Sequence, residues 1–541
     1  MAPSNKPYSP VEERTHTDAS SNHSEASEDI DFTELSASAS PPRLGFLRIV
    51  LLTCPNFGLQ ILWLLLMSYG TPFLHSLGIS NSVTALVWLA GPLSGAFLQP
   101  IFGTLSDKSD HPWGRRKPFI LCGAVAVVFC LLALACTEDL TGDHIGIGLK
   151  PAAYGVKTEE RSHLITQLLA IFWVFAINIS IQPFQVGVRA FVVDSCPSNQ
   201  QIQASAWCTR WNGLGSVFIS LFGLSNTSKW APYLGDSQFK ALGVIAACSI
   251  VFTVTIVCFL IEDSPNYNED RPQKDVRDLI IAPHTRLWRI VHELSPNCRQ
   301  VCKVQCAAWL AWFPILYYTS TFIYQTFILH DHVHTGVGRE SGPEEIGQSD
   351  YRLLEVARHD GSFAVFLFAL VALITSILLP LFISRTHTLV GKWKQESTTI
   401  LGMTLGKVWG LSHVLLAGCM FLTVFSWTVP FATGLIGVAG MSWAVASWIP
   451  FSIISFEVSR ETELRSLDEE LKPDEKSDHT ATILGLQNMA ISVPQIFSAL
   501  VCAVMFKFFE IVDVRDGAAW VLRFSGVAAC FAAYLTKELD L

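Results

Sequence analysis

Residues 103–119 read GTLSDKSDHPWGRRKPF, a polar stretch that lies between two long apolar runs. Four of the eleven residues from Asp107 to Lys117 are Lys or Arg. Short loops rich in Lys and Arg stay on the cytosolic side of a membrane, so this stretch predicts a cytosolic loop between two membrane-spanning helices. Its acids and bases also predict a cluster of ion pairs that form in one conformation and break in another.

Apolar runs of the same kind continue along the chain in both directions. The chain has 541 residues, of which 50% are hydrophobic and 15% charged, and its mean hydropathy is +0.38. Soluble domains carry about 25% charged residues, and about 20 apolar residues suffice to cross a bilayer. This composition excludes a soluble enzyme. We predict twelve membrane spans, with approximate bounds 48–76, 83–104, 118–136, 163–190, 202–223, 240–261, 303–327, 361–384, 408–428, 430–454, 480–507 and 518–536.

The longest internal polar stretch separates the spans into two sets of six. We therefore predict an all-α membrane protein with twelve transmembrane helices in two six-helix halves, at 46–261 and 303–541. A disordered cytosolic tail is expected at 1–45, because it is rich in Ser and acids and has no apolar core. A cytosolic central loop is expected at 262–302.

The charge and the cysteine content limit the functions that this chain can have. The net charge is −9, and no block of basic residues suggests nucleic acid as a partner. The 14 cysteines are scattered and follow no metal-ligand spacing, so we expect no metal site and no cofactor. A nucleotide-binding glycine loop and a constellation of acid, base and nucleophile are also missing from the sequence, so we expect neither ATP-driven transport nor an enzyme.

The fourth predicted span carries polar side chains that are costly in a bilayer. Asn178, Gln182, Gln185 and Arg189 fall within three helical turns, and an intramembrane arginine usually has a function. Its planar donor fork suits sugar hydroxyls or a carboxylate. Alternatively, Arg189 extends only to the cytosolic surface beside Asp194.

Three further spans carry candidate binding residues. Trp312, in the seventh span, offers a ring on which a pyranose can stack, although tryptophans near an interface often serve only as anchors. Asn488 and Gln495, in the eleventh span, are seven residues apart on one face, where helix–helix hydrogen bonding is the alternative role. Gln60 follows Pro55 in the first span, and interrupted helices tend to surround a transporter's site.

Several of these segments resemble the sucrose and α-glucoside proton symporter family, in the glycoside-pentoside-hexuronide group of the major facilitator superfamily, and look closest to fungal members. The segments that carry the resemblance lie in both halves: Gly91–Gly95, Gln99–Pro100, Arg115–Phe119, Arg189–Ala190 with Asp194, Trp309–Pro314 and Asn488–Gln495. The resemblance implies a sugar site between the halves, and import of sucrose or a maltose-like α-glucoside with protons. In this superfamily the acid that ends span four joins the loop cluster, so the expected gating residues are Gly103, Asp107, Arg115, Arg116 and Asp194.

The chain departs from the plant members of this family at one important position. Those members have an aspartate eleven residues before the span-four arginine, and it is thought to carry the proton; here that residue is Asn178. We therefore expect proton coupling through an acid at the membrane edge, with Asp194, Asp360 and Glu457 as candidates. The alternatives are a facilitative carrier or exporter without proton coupling, and a sugar sensor that does not transport.

The resemblance also bears on partners and location. We expect the partners to be a small-molecule sugar, the proton and the lipid bilayer, and we expect a monomer. The chain is predicted to be a multi-pass protein of the plasma membrane rather than of the vacuole.

Overall fold

A computed structural model describes residues 43–79, 81–141, 157–225, 227–263, 294–331, 346–390, 393–467 and 479–539. Most of the predicted tail, residues 1–42, lies outside the described residues. The same is true of residues 264–293, which form most of the predicted central loop.

Twelve long helices dominate the described residues, and each coincides with one predicted span. In chain order they are α1 (Phe46–Thr53 and Pro55–Ser76, interrupted at Cys54), α2 (Ala90–Asp107, preceded by a short helix at Asn81–Trp88), α3 (Lys117–Ala135), α4 (Lys157–Ser195), α5 (Gln201–Leu224), α6 (Gln238–Leu260), α7 (Pro296–Thr326), α8 (Ile346–Leu378), α9 (Leu405–Leu422), α10 (Val429–Leu467), α11 (Thr480–Ile511) and α12 (Gly517–Leu535). Eleven of these helices, all except α5, are long and apolar enough to cross a membrane. The predicted fold class, a helical membrane protein with twelve long helices, is confirmed.

Three helices, α7, α8 and α10, extend well past their predicted bounds because their ends are polar. α7 begins at Pro296, inside the predicted central loop, where the Ser295 hydroxyl accepts a hydrogen bond from the Cys298 N–H. A capping serine followed by proline is a favourable helix start whatever the hydropathy of the first turn. α10 likewise continues to Leu467 rather than ending near residue 454. Apolar runs locate the membrane-embedded part of a helix and miss its aqueous extension.

A small antiparallel sheet follows α8 and departs from the all-α prediction. Its strands are β1 (Ile383–Val390), β2 (Trp393–Ile400) and β3 (Met403–Thr404), in the order β1-β2-β3. Thr, Ile and Val are frequent in these segments, and these residues favour strands. The prediction followed apolar runs and left this polar connection unassigned.

The apolar side chains form three buried clusters. The first contains residues between Ile49 and Ile261 alone, and the second contains residues between Ala307 and Ala532 alone, so each half has its own core. The third cluster joins Val186, Ala190 and Val193 of α4 to residues of α7, α10 and α11. We call the end of the bundle that carries Asp107–Lys117 the inner end. The third cluster connects the halves there.

Glycines allow α2 and α11 to approach closely across the boundary between the halves. A Cβ on Gly103 would lie 2.4 Å from the carbonyl oxygen of Ala481. A Cβ on Gly485 would lie 2.7 Å from the Cα of Pro100. Both neighbours are backbone atoms, which cannot rotate away, so glycine is required at these two positions.

We expect Gly485→Ala to destabilise the purified protein by about 1–3 kcal/mol, since overpacking against backbone forces the helices apart. Thermal unfolding in detergent measures this change as a lower Tm. Gly418→Ala in α9 is the matched control, because nothing lies within 4 Å of its added Cβ. The control is expected to keep or slightly raise Tm. Equal Tm values for the two variants would contradict the close packing of α2 on α11.

Candidate functional site

Helices of both halves enclose a central cavity. Its wall is formed by α1, α2, α4 and α5 from one half and by α7, α8, α10 and α11 from the other. Amide side chains are its most frequent polar groups: Asn56, Gln60, Gln182, Gln185, Asn212, Gln305, Gln487, Asn488 and Gln495. A polar side chain in the membrane interior must face such a cavity or find a partner.

Seven of the eight predicted substrate-binding residues line this cavity. They are Gln60, Gln182, Gln185, Arg189, Trp312, Asn488 and Gln495. The residues come from four helices that are far apart in the sequence. The structure therefore brings into one cavity seven residues that the sequence analysis proposed helix by helix. The role of these residues in binding stays a prediction.

The eighth residue, Asn178, is outside the cavity lining. Its side chain is 2% exposed, and its Nδ2 donates a hydrogen bond to the Val174 carbonyl oxygen at 2.8 Å. Its Oδ1 faces α2, 3.1 Å from where a Cβ on Gly91 would lie. Eleven residues of helix separate it from Arg189 by about 16 Å along the axis. Although Asn178 and Arg189 lie about three helical turns apart, the structure does not place their side chains in one site.

Arg189 lies in the cavity wall without a polar partner. Its guanidinium carbon is 5.9 Å from the centroid of the Phe451 ring, and it forms no hydrogen bond or ion pair with any described residue. The alternative position beside Asp194 is not observed, because Asp194 pairs with Arg115 and Arg116 instead. Among the described lining residues there is no Asp, Glu, Lys or His, so the cavity carries a positive charge.

One side of the cavity is aromatic. The ring centroid of Trp443 lies 5.0 Å from that of Trp312 and 5.9 Å from that of Trp309, both edge to face. Trp312 is only 1% exposed, whereas Trp309 and Trp443 are half-buried. The predicted stacking surface is therefore better provided by Trp309 and Trp443. The choice of Trp312 missed this because sequence cannot tell which of two neighbouring rings is covered.

Two of the predicted amides also bind neighbouring helices. The Nδ2 of Asn488 donates to the Gly95 carbonyl oxygen at 3.3 Å, across the boundary between the halves. The Nε2 of Gln60 donates to the Ser216 hydroxyl at 3.0 Å, which joins α1 to α5. The helix–helix role that the sequence left open for Asn488 thus exists alongside its place in the cavity wall.

The sequence analysis missed the contribution of α5. Asn212 and Ser216 line the cavity, and Arg210 also lies on this helix. These polar residues explain why α5, unlike the other eleven long helices, has no stretch apolar enough to be recognised as a membrane span. Asn212 could have indicated this role from the sequence alone, because an amide in the middle of a predicted span is costly unless it faces a polar cavity.

The predicted gating residues meet at the inner end. Arg116 is fully buried and forms ion pairs at 2.7 Å with both Asp107 and Asp194. Arg115 pairs with Asp194, also at 2.7 Å. Asp107 in turn accepts hydrogen bonds from the Thr482 N–H at 2.8 Å and from its hydroxyl at 2.6 Å. A carboxylate at a helix N-terminus is favourable, and here it attaches α11 of one half to α2 of the other.

A second contact at the inner end was not predicted. Glu463, near the end of α10, accepts hydrogen bonds from the Ser198 N–H at 2.9 Å and from its hydroxyl at 2.8 Å. Ser198 precedes α5, so this contact also joins the halves. With the Asp107 cluster and the third apolar cluster, it closes the cavity toward the inner end.

The three candidate proton carriers lie away from the cavity wall. Asp194 belongs to the inner cluster, and Asp360 has His359 as a neighbour at 3.8 Å. Glu457 accepts a hydrogen bond from Asn297 at 2.7 Å. Beside the inner cluster, Asp263 accepts hydrogen bonds from two backbone N–H groups at the start of α3, and burial raises the pKa of its carboxyl.

The sequence of this chain is similar to those of known transport proteins. A model of the family described as "MFS/sugar transport protein" matches residues 51–324. The general alpha-glucoside permease of Schizosaccharomyces pombe is 28% identical, with 92% of this chain and 94% of that protein covered. The sucrose transport protein SUT2 of Oryza sativa subsp. japonica is 25% identical, with 85% of this chain and 86% of that protein covered.

Solved structures share the fold at low sequence identity. A bacterial homologue of the iron transporter ferroportin, in an outward-facing state, aligns with a TM-score of 0.54 at 12% identity, covering 92% of this chain and all of the other. The xylose transporter XylE from E. coli, in a partially occluded inward-open conformation, aligns with a TM-score of 0.52 at 11% identity, covering 91% and 98%. Since the matched segment spans half of the sequence, this multi-pass membrane chain belongs to the MFS/sugar transport protein family.

Proposed function

We propose that this chain imports sucrose or a related, maltose-like α-glucoside through the central cavity, as a monomer in the plasma membrane. The observation that carries the proposal is a cavity between two halves that is walled by amides and tryptophans, with no carboxylate among its described lining residues. The names of the relatives, an alpha-glucoside permease and sucrose transport proteins, support the same substrate class.

The cavity chemistry suits a neutral disaccharide. Half-buried Trp309 and Trp443 offer faces for the apolar side of a pyranose ring, and the amides offer both donors and acceptors to its hydroxyls. Ligand sites commonly combine apolar walls with a few placed polar groups. The planar guanidinium of Arg189 adds hydrogen-bond donors at the inner part of the cavity.

Transport requires the inner end to open, and the Asp107 cluster is the proposed gate. Separation of the halves there would break the bonds from Asp107 to Thr482 while Arg116 keeps its pair with Asp194 within one half. The charged groups therefore retain partners in the open state. This lowers the free-energy cost of opening.

Proton coupling is proposed through an acid outside the cavity, namely Asp194, Asp360 or Glu457. Asn178 cannot titrate, and the described cavity wall has no acid either. The same observation favours the second candidate function, a facilitative carrier without proton coupling. The two differ in whether sugar accumulates against its gradient.

We expect uptake of radiolabelled sucrose or maltose in cells that lack their own carriers. With proton coupling, the sugar reaches an internal concentration above the external one, and a protonophore abolishes this accumulation. Equal internal and external concentrations, unaffected by the protonophore, would identify the facilitative carrier. Displacement of the label by a lipid or an anion, but not by disaccharides, would refute the substrate class.

We expect Arg189→Lys to lower the maximal uptake rate by about tenfold or more, since lysine keeps the charge but loses the planar fork. Arg189→Ala should be at least as impaired. Arg523→Lys is the matched control, because Arg523 stacks on Trp520 in α12, away from the cavity wall. Near-normal uptake by Arg189→Ala, at equal surface expression, would refute a role for this side chain.

We expect Asp107→Asn to reduce the maximal rate while leaving sugar affinity nearly unchanged. The amide weakens the charge-assisted hydrogen bonds that Asp107 accepts from Thr482 of the other half, and a contact of this kind contributes about 1.5–3 kcal/mol to the closed inner end. Uptake kinetics and equilibrium sugar binding separate the two effects. Asp139→Asn, which removes an ion pair with Lys240 in the first half, is the control. A large loss of binding with an unchanged rate would contradict the gate.

A further inference from the structure

We propose that the central cavity also binds a small monovalent anion, chloride, against the guanidinium of Arg189, and that this anion is enclosed together with the sugar. The enclosure with sugar rests on the proposed function, whereas binding of the anion to the empty cavity does not.

The first reason is the missing counter-charge. Arg189 lines the cavity, and among the described residues it has neither an ion-pair nor a hydrogen-bond partner. The centroid of the Phe451 ring lies 5.9 Å from the guanidinium carbon. The acid five residues later in α4, Asp194, is already held by two arginines of the inner cluster. No described carboxylate faces the cavity.

The second reason is that the same cavity wall carries amide side chains whose hydrogen-bond donors are not used. Gln185 and Asn212 also line the cavity, and neither side chain forms a hydrogen bond with a described residue. Both amides can donate a hydrogen bond to an anion, while the guanidinium supplies the charge.

The third reason comes from the transport cycle. A carrier must enclose its substrate at one stage, and closing the cavity removes the water that solvates Arg189. Arginine does not lose its proton in proteins, and a neutral sugar has no charge to offer. An enclosed, unpaired cation is strongly destabilised. A mobile anion supplies the missing charge, and it would accelerate the step in which the cavity closes.

An anionic group could come from a free halide or from the carboxylate of an acidic sugar. We assign the halide, because the aromatic and amide wall is occupied by a neutral sugar in the proposed function.

Substitutions at Cys208 test whether an anion binds beside Arg189. This cysteine lines the cavity on α5, near enough to Arg189 to interact with it electrostatically.

The test measures ³⁶Cl⁻ binding to the purified full chain in detergent, without sugar. Saturable binding is expected for the wild type and for Cys208→Asn. Cys208→Asp places a permanent carboxylate beside Arg189, so its chloride affinity should fall by more than about tenfold. The Asn and Asp variants have nearly the same shape, and a common Tm would show that both fold. Equal binding by the two variants, or no saturable binding to the wild type, overturns the proposal.

Two further measurements complete the test. Glucuronate should displace ³⁶Cl⁻ no better than unlabelled chloride does; stronger displacement by glucuronate would overturn the halide assignment. In proteoliposomes, replacing chloride with gluconate should slow sugar uptake by the wild type but not by Cys208→Asp. Saturable chloride binding without sugar transport under any condition supports the anion site and refutes the proposed function instead. Sugar transport that ignores chloride in every variant overturns the enclosure of the anion with the sugar.

Discussion

The carboxylate of Asp107 lies where the two halves meet, and it binds both of them. It pairs with Arg116 of its own half and accepts hydrogen bonds from the first turn of α11 in the other half. Because its oxygens satisfy backbone N–H groups at a helix N-terminus, the contact is both electrostatic and directional. Together with the glycines of α2 and α11, the third apolar cluster and the contact of Glu463 with Ser198, this contact closes the inner end and forms the floor of the cavity.

The gate and the cavity are mechanically connected through α4. This helix carries Arg189 in the cavity wall and Asp194 in the inner cluster, about 7–8 Å apart along its axis. A helix transmits a rigid displacement over so short a distance. The proposed separation of the halves would therefore move Arg189 relative to the amides of α11 in the other half, which would change the cavity where a sugar would lie.

The membrane explains why the polar groups are arranged in this way. An amide or a cation in the bilayer interior is stable only where it faces other polar groups or water. Amides from five helices therefore converge on one cavity, while the lipid-facing surfaces keep apolar residues such as Phe259 and Phe531. The same constraint explains why α5 has no stretch apolar enough to be recognised as a membrane span, because Asn212 and Ser216 face the cavity.

The sequence by itself determined the twelve apolar segments, their division into two halves and the residue types of the gate, because crossing a bilayer requires long apolar runs and a reversible gate requires paired charges. It also named seven residues that meet in one cavity. Only the tertiary structure decided that Asn178 packs against α2, that Trp312 is covered while Trp309 and Trp443 remain accessible, and that Glu463 reaches Ser198. Helical periodicity gives the face of a side chain, whereas its partners depend on how helices distant in sequence pack together.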